Sequence, residues 1–389
     1  MIKHLPADFK DALLVGRIAT RSGPTPVLVR DGLVMDVSHT APTTSELLAL
    51  PDLSDVEGRV LGAIDAMDLR TAWSGGGDYP RLLSPIDLQC VKASGVTFAV
   101  SALERVIEER ARGDAGAAQA IRESLGGLVG AELGSVKPGS APAERLKQAL
   151  IDQGLWSQYL EVAIGPHAEI FTKAPPLSTV GWGSWVGVRD DSVWNNPEPE
   201  VVLVCDRDGR VRGAALGNDV NLRDIEGRSA LLLGKAKDNN AACAIGPFIR
   251  LFDDRFSMDD VRSSEVRLEI EGEDGFRLTG QSSMSLISRD PLELVKQTLG
   301  VNHQYPDGFA LFLGTMFAPV QDRTTPGQGF THKLGDVVRI SAERLGVLEN
   351  KVTTCAKAPP WDFGISDLMR NLASRGLLAR RSGVLMASA

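Results

Sequence analysis

The stretch that decides the fold is NNPEPEVVLVCDRDGRVRGAALGNDVNLRD, residues 195–224. Two apolar runs, VVLVC and VRGAAL, flank a short polar segment, DRDGR, that contains Asp208–Gly209. An Asp-Gly pair between such runs marks a hairpin, because glycine accepts the left-handed backbone that a tight turn needs. Side chains alternate along a strand, so Glu198 and Glu200 share one face at the start of the outgoing strand. Asp219 lies just beyond the returning strand, at the same end. Three carboxylates can therefore converge on one point. Unpaired, they would repel one another and raise at least one pKa, a conflict that a divalent cation resolves. An all-oxygen set with no nearby His or Cys selects a hard ion, Mg²⁺ or Mn²⁺, over zinc. Alternating glutamates are also common on exposed strand faces, so the spacing alone leaves open three solvated acids beside a surface turn.

Working outward, VRLEIEGEDGFRLTG (266–280) and DVVRISAERLGVLENKVTT (336–354) read as two further hairpins. The chain is thus expected to be mainly β with some helix (α+β), built on a twisted, mostly antiparallel β-core. At the N-terminal end, LLVGRI, an SGPTP turn and VLVRDGLVMDV suggest a strand followed by a hairpin. WSGGGDYPR (73–81) reads as a joint, which divides the chain into a small β-rich domain, 1–85, and a main domain, 86–389. Ser101 is expected to cap a helix, with Leu103, Val106 and Ile107 on one face and Gly113 at its end. A second helix starts near Ser140, buries Leu146 and Leu150, and stops at Gly154. Between them the composition suggests another helix and a mobile loop.

The bulk numbers exclude several classes. The chain has 389 residues, 43% hydrophobic and 24% charged, with a formal net charge of -8. That suits a folded protein and argues against nucleic acid or anionic membrane as a partner. An anionic small-molecule substrate would need a local cation, a Lys or Arg, or backbone N–H groups. Cys90, Cys205, Cys243 and Cys355 are scattered without a CxxC pair, which reads as reduced thiols. The N-terminal stretch MIKHLPADFKDALLVGR resembles neither a signal peptide nor a membrane span, so a cytoplasmic protein is expected. GWGSWVG and GRSALLLGKA lack the spacing of nucleotide-binding glycine loops.

The ExE pair, then GNDVNLRD, then Lys237 with IGPF, resembles the core signature of the fumarylacetoacetate hydrolase superfamily. IFTKAPPLSTVG (170–181) upstream and GDVVRI with LGVLENKV (335–352) downstream extend the likeness. The resemblance implies that Glu198, Glu200 and Asp219 are metal ligands, with Mg²⁺ or Mn²⁺ as the ion. It makes Lys237 the catalytic lysine, with Lys235 a decoy nearby, and Glu169 a second acid/base group. SGVTFAVSALE (94–104) falls where hydrolytic relatives carry a His–Glu pair that activates water; Ser101 stands at the His position and Glu104 at the Glu. Thr97, Ser101 and Glu104 are then expected to line the substrate pocket, and Thr315, after Gly314, to hold the substrate carboxylate. Glu226 stands where relatives usually have Gln. Arg223 and Asp224 are expected to form an ion pair. Ser285, Ser288, Arg289, His303 and Tyr305 are weaker candidates for the site, and Trp182, Trp185 and Trp194 are expected to pack around it.

Without the water-activating His, the resemblance favours elimination over hydrolysis. It implies the dehydratase branch acting on 2-keto-3-deoxy sugar acids, with conversion of 2-keto-3-deoxy-D-xylonate to 2,5-dioxopentanoate and water. In that scheme the cation chelates the 1-carboxylate and 2-keto oxygen, Lys237 takes a proton from carbon 3, and Glu169 assists departure of the 4-hydroxyl. Next to a dication, the Lys237 pKa is expected to be lowered. The alternatives are an acylpyruvate-type C–C hydrolase or oxaloacetate decarboxylase of the same superfamily, or a non-catalytic sugar-acid-binding protein. Relatives of this kind imply a homodimer or homotetramer.

Overall fold

The computed structural model describes residues 2–74, 80–125, 133–134 and 136–378. Its strands are Leu14–Thr20 (β1), Gly23–Arg30 (β2), Leu33–Asp36 (β3), Arg59–Ala63 (β4), Arg81–Leu82 (β5), Cys90–Gly95 (β6), Glu169–Ala174 (β7), Ser184–Val188 (β8) and Asn195–Asn196 (β9). They continue with Pro199–Cys205 (β10), Val211–Asp219 (β11), Asn221–Leu222 (β12), Cys243–Leu251 (β13), Glu265–Glu271 (β14), Arg277–Ser283 (β15), Phe309–Phe312 (β16), Val337–Ala342 (β17) and Gly346–Thr354 (β18). Eleven of them form one sheet, in the order β4-β3-β2-β1-β13-β11-β10-β16-β6-β7 with β5 beside β1. Five form a second sheet, β15-β14-β17-β18-β8. Pairing is antiparallel except at β16–β6 and β18–β8.

The large sheet runs between two apolar layers, which explains why β10 and β13 are almost unbroken hydrophobic sequence. Val201 and Leu203 face one layer, which they share with Leu268, Ile340, Leu348 and Val352 of the five-stranded sheet. Val202 and Val204 face the other, with Val15, Leu28 and Ile249. Helices Ala99–Ala111, Ala115–Leu125, Ala141–Asp152 and Gln158–Ile164 pack together around Val106, Ile107, Leu150 and Leu160 as a third cluster.

The three expected hairpins occur as β10–β11, β14–β15 and β17–β18. The strands within 1–85 continue the large sheet, since β1 pairs with β13 at Leu14↔Arg250 and Val15↔Ile249. SGPTP is a strand rather than a turn: Gly23 pairs with Thr20 and Pro26 with Arg17, so the chain reverses earlier, at Arg21–Ser22. The prolines sit in a strand whose other neighbour needs no N–H from them. Residues 75–79 of the expected joint, and 126–132 and 135 of the expected loop, lie outside the described residues.

Ser140 caps its helix by accepting from the Ala143 N–H at 3.3 Å, and this cap was readable in the sequence. Ser101 does not cap. The helix starts two residues earlier, at Ala99, because Phe98 is tied to Ile287 in a β-bridge, and the Ser101 hydroxyl donates to the Phe98 carbonyl at 2.8 Å. Among the described residues no helix is long and apolar enough to cross a membrane.

Candidate active site

The hairpin β10–β11 builds the site. Glu200 pairs with Gly217 across the ladder, and the Asp219 N–H donates to the Glu198 carbonyl at 3.1 Å. Glu198, Glu200 and Asp219 thereby bring one oxygen each within 4.8 Å of one another, and each residue is only 1% exposed. Burial, then the negative charges of Asp219 and Glu198, push the Glu200 carboxyl well above the usual carboxylate range. The Gly314 N–H donates to Glu200 at 2.7 Å and the Thr315 hydroxyl at 3.4 Å. Gly314 has φ +104, a conformation that only glycine adopts without strain, and this aims its N–H at the carboxylate. Three buried, mutually repelling carboxylates with room between them fit a hard divalent cation. The cavity at this point measures about 20 Å³, enough for roughly one ion or water.

Lys237 ends the short helix Leu233–Lys237. Its Nζ lies 2.5 Å from Glu198 Oε2 and 3.2 Å from Asp219 Oδ2. Burial opposes its charge, but Asp219, Glu198 and Glu226 outweigh burial and raise its pKa. These carboxylates by themselves hold the ammonium charged, whereas the expected lowering is that of a lysine beside a dication. Lys235 points elsewhere, 3.3 Å from Asp191, with its side chain 47% exposed. Lys173 of β7 is wholly buried, and its Nζ lies 2.9 Å from Asp219 Oδ1 and donates to the Lys237 carbonyl.

Glu169 opens β7 and lines the same cavity. Burial, aided by Glu198 and opposed by Arg105 and Lys237, raises its carboxyl pKa. Gly95 pairs with it across β6–β7, and the carboxylate packs on that bare backbone: a Cβ on Gly95 would sit 2.6 Å from Glu169 Cδ and closer still to Oε2.

Of the residues expected to line the pocket, Ser101 and Thr315 do so. Thr97 and Glu104 do not. The Thr97 hydroxyl donates to the Leu313 carbonyl at 2.6 Å, joining β6 to β16 behind the site. Glu104 turns away because two cations outside claim it: Arg122 at 2.8 and 3.0 Å and Arg223 at 3.2 Å. Arg223 and Asp224 do not pair with each other. Arg223 binds Glu108 at 2.7 Å over the Trp194 ring, while Asp224 accepts from Ser192 and the Val193 N–H. Arg289 is buried against the carbonyls of Val162 and Gly165, and Ser288 holds the Thr97 carbonyl, so both serve the scaffold. Ser285 meets Ser283 at the surface, and His303, Tyr305 and Phe309 stack on one another.

A charged cavity-lining residue that the sequence reading missed is Arg105. Its Nη2 lies 2.5 Å from Glu198 Oε1, and its Nη1 2.5 Å from Glu108 and 3.0 Å from Glu226. The signal was present: Arg105 follows Ser101 by four residues, one helical turn, on the same face. Burial pushes Glu226 up to about 7, against the pull of Arg105 and Lys237.

Residues 175–353 match the family model described as fumarylacetoacetate (FAA) hydrolase C-terminal. A curated relative from Haloferax volcanii, a probable 2-keto-3-deoxyxylonate dehydratase, is 35% identical over 196 residues, 50% of this chain and 64% of that protein. A 2-dehydro-3-deoxy-D-arabinonate dehydratase from Saccharolobus solfataricus is 31% identical over 190 residues, 49% of this chain and 60% of that protein. The matched stretch is thus less than two thirds of the length of either curated relative. Among solved structures, 2-keto-3-deoxy-D-arabinonate dehydratase in its apo form superposes with a TM-score of 0.63 at 23% identity, over 88% of this chain and 99% of that one. The structure of the same-named enzyme complexed with magnesium and 2,5-dioxopentanoate gives 0.62 at 24% identity, with the same coverage. At these identities the likeness is one of fold.

Proposed function

We propose that this chain, whose residues 175–353 belong to the fumarylacetoacetate hydrolase family, is a divalent-metal-dependent dehydratase that converts 2-keto-3-deoxy-D-xylonate (also 2-keto-3-deoxy-D-arabinonate) to 2,5-dioxopentanoate and water. The observation that carries the reading is the convergence of three buried carboxylates on one point, with a buried lysine beside them and a raised-pKa glutamate facing them. The names of both curated relatives support the substrate class.

Glu198, Glu200 and Asp219 would hold Mg²⁺, with Mn²⁺ as the other hard ion their oxygens accept. When bound, such a cation supplies Lewis-acid stabilisation of negative charge on the oxygens of a 2-oxo acid. Lys237 removes a proton from carbon 3, for which its amine must be neutral. Carboxylates that share their charge with a cation pull less strongly on the ammonium, which brings its pKa back toward a usable range. Glu169, whose carboxyl burial shifts toward the protonated form, hands its proton to the departing 4-hydroxyl as water forms. The electron pair from the C3–H bond becomes the C3=C4 double bond. Transfer of a proton from carbon 5 to carbon 3 then gives the C4=C5 enol, which becomes the aldehyde. Gly314 and Thr315 keep Glu200 in place.

The hydrolytic reading is disfavoured by one observation: Ser101 stands where water would need a base, and its hydroxyl is spent on the Phe98 carbonyl. The dehydratase reading makes the protein a cytoplasmic homodimer or homotetramer, with residues 1–85 as an N-terminal unit whose strands extend the sheet of the catalytic one; sedimentation velocity checks the assembly. The function is tested by incubating the protein and Mg²⁺ with 2-keto-3-deoxy-D-xylonate and following products by mass spectrometry. 2,5-Dioxopentanoate is expected. Pyruvate plus glycolaldehyde, the products of aldol cleavage, or no turnover, would overturn the assignment.

A further inference from the structure

Five acids line the cavity: Glu169, Glu198, Glu200, Asp219 and Glu226. Among the described residues only Lys237 and Arg105 line it as cations. A carboxylate binding beside these acids needs a positive partner that stays positive. Lys237 cannot fill that role if it is the base, since it must give up its charge to work. A guanidinium does not lose its proton at any working pH.

The surroundings of Arg105 fix it for such a task. Its Nη1 edge is held by Glu108 and Glu226. Glu108 binds Arg223 at 2.7 Å, Arg223 binds Glu104 at 3.2 Å, and Glu104 binds Arg122 at 2.8 Å. This alternating ladder runs outward from the helix Ala99–Ala111 to the helix Ala115–Leu125 and pins one side of the guanidinium. The Nη2 edge faces the cavity and donates to Glu198 alone. Glu198 is also a metal-site carboxylate, and a carboxylate that shares its charge with a cation attracts a guanidinium less. The exchange replaces one anion by another at the same N–H groups, so no buried charge is left bare.

We propose that Arg105 anchors the carboxylate of the incoming 2-oxo acid, exchanging Glu198 for the substrate. The inference rests on the dehydratase reading for the natural substrate, but its test does not. Oxalate carries the vicinal oxygens of a 2-oxo acid without carbons 3 to 5. Its binding to the full chain in saturating Mg²⁺ is measured by titration calorimetry, alongside Mg²⁺ binding alone. The wild type is expected to bind oxalate. R105M is expected to bind it 10- to 100-fold more weakly, with Mg²⁺ affinity within threefold of wild type or tighter, because Glu198 loses a competing cation. R105K, which keeps the charge but not the planar fork, falls between them. With the sugar acid, R105M raises KM by the same 10- to 100-fold while kcat falls less than tenfold.

Oxalate affinity within twofold of wild type in R105M overturns the proposal. So does a loss of Mg²⁺ affinity equal to the loss of oxalate affinity, which would make Arg105 a mere holder of Glu198. Failure of the wild type to bind oxalate overturns it as well. Should R105M not melt cooperatively, R105K decides: a loss of threefold or more supports the anchor, and a smaller one refutes it. Absence of sugar-acid turnover by the wild type would sink the dehydratase reading, and the oxalate titration would still judge Arg105.

Discussion

Gly95→Ala adds a single methyl group and, on the proposed dehydratase reading, is expected to abolish most turnover while leaving the fold intact. Gly95 closes β6 opposite Glu169, and its backbone does not lie in the left-handed region that excludes alanine. The cost therefore comes from space alone. The new Cβ would lie 2.6 Å from Glu169 Cδ. Ordinary carbon contacts begin near 3.4 Å, so the carboxyl carbon has to retreat by about 0.8 Å and its nearer oxygen by more. Glu169 can make this move because the obstacle is the far end of a flexible side chain. On the proposed mechanism, its proton then leaves the position from which it would reach the departing hydroxyl. A misplacement of about 1 Å can cost on the order of 10²-fold, and a positioned general acid contributes roughly 10²- to 10⁴-fold. A fall in kcat of about 10²- to 10³-fold is expected, with the melting temperature within a few degrees of wild type. The assay is steady-state dehydration of 2-keto-3-deoxy-D-xylonate with G95A, E169A and the double variant. If Gly95 acts only by making room for Glu169, G95A adds nothing once Glu169 is truncated. A G95A enzyme with wild-type kcat, or a G95A penalty that persists in full on top of E169A, would refute the reasoning.

Glu200→Gln should cost the protein little in EDTA. Burial, then Asp219 and Glu198, already favour the protonated acid, which Gln mimics; its melting temperature there should stay within about 2 °C of wild type, while the Mg²⁺-dependent rise disappears. For the wild type that rise corresponds to about 2.7 kcal/mol at 100 times the dissociation constant, and a wild-type Mg²⁺ shift in E200Q would remove Glu200 from the ligand set. Lys173→Met leaves Asp219 Oδ1 buried without its 2.9 Å partner and should destabilise the chain by about 3–5 kcal/mol in urea unfolding; a loss below about 1 kcal/mol would show the pair to be dispensable. Burial of His4, 6% exposed and edge-on to Trp182, lowers its pKa from 6.5 to about 4 despite Glu349. A base with a depressed folded pKa contributes stability above its unfolded pKa and loses it as pH falls, here from 6.5 toward 4. His4→Phe should flatten up to about 3 kcal/mol of acid dependence in that window, and an unchanged pH–stability curve would assign the loss elsewhere.

What could be read from the sequence divides by range. The carboxylate triad was legible because everything that brings it together is local: a strand with alternating glutamates, a turn at Gly209 and a return strand that ends on Asp219. The Ser140 cap is equally local. Lys237 came from motif register, and its position beside Glu198 depends on how the helix Leu233–Lys237 closes on the hairpin. What escaped was decided by partners far away in the chain. Ser101 had the chemistry of a cap, but the Phe98–Ile287 bridge moved the helix start, turning Ser101 toward the cavity and its hydroxyl onto Phe98. Arg105, one turn further along the same helix, reaches Glu198, 93 residues away. An Arg in an amphipathic helix reads as a solvated face, and no local rule says that this one enters the site. Glu104, its immediate neighbour, points to the other side and is claimed by Arg122 and Arg223. Of two adjacent residues of opposite charge, the acid expected at the substrate becomes part of the supporting ladder, and the Arg that drew no attention lines the cavity. The ladder makes this arrangement stable, since each of its charges has an opposite neighbour, so the direction in which Arg105 points is a property of the whole chain of pairs and not of its own position in the sequence.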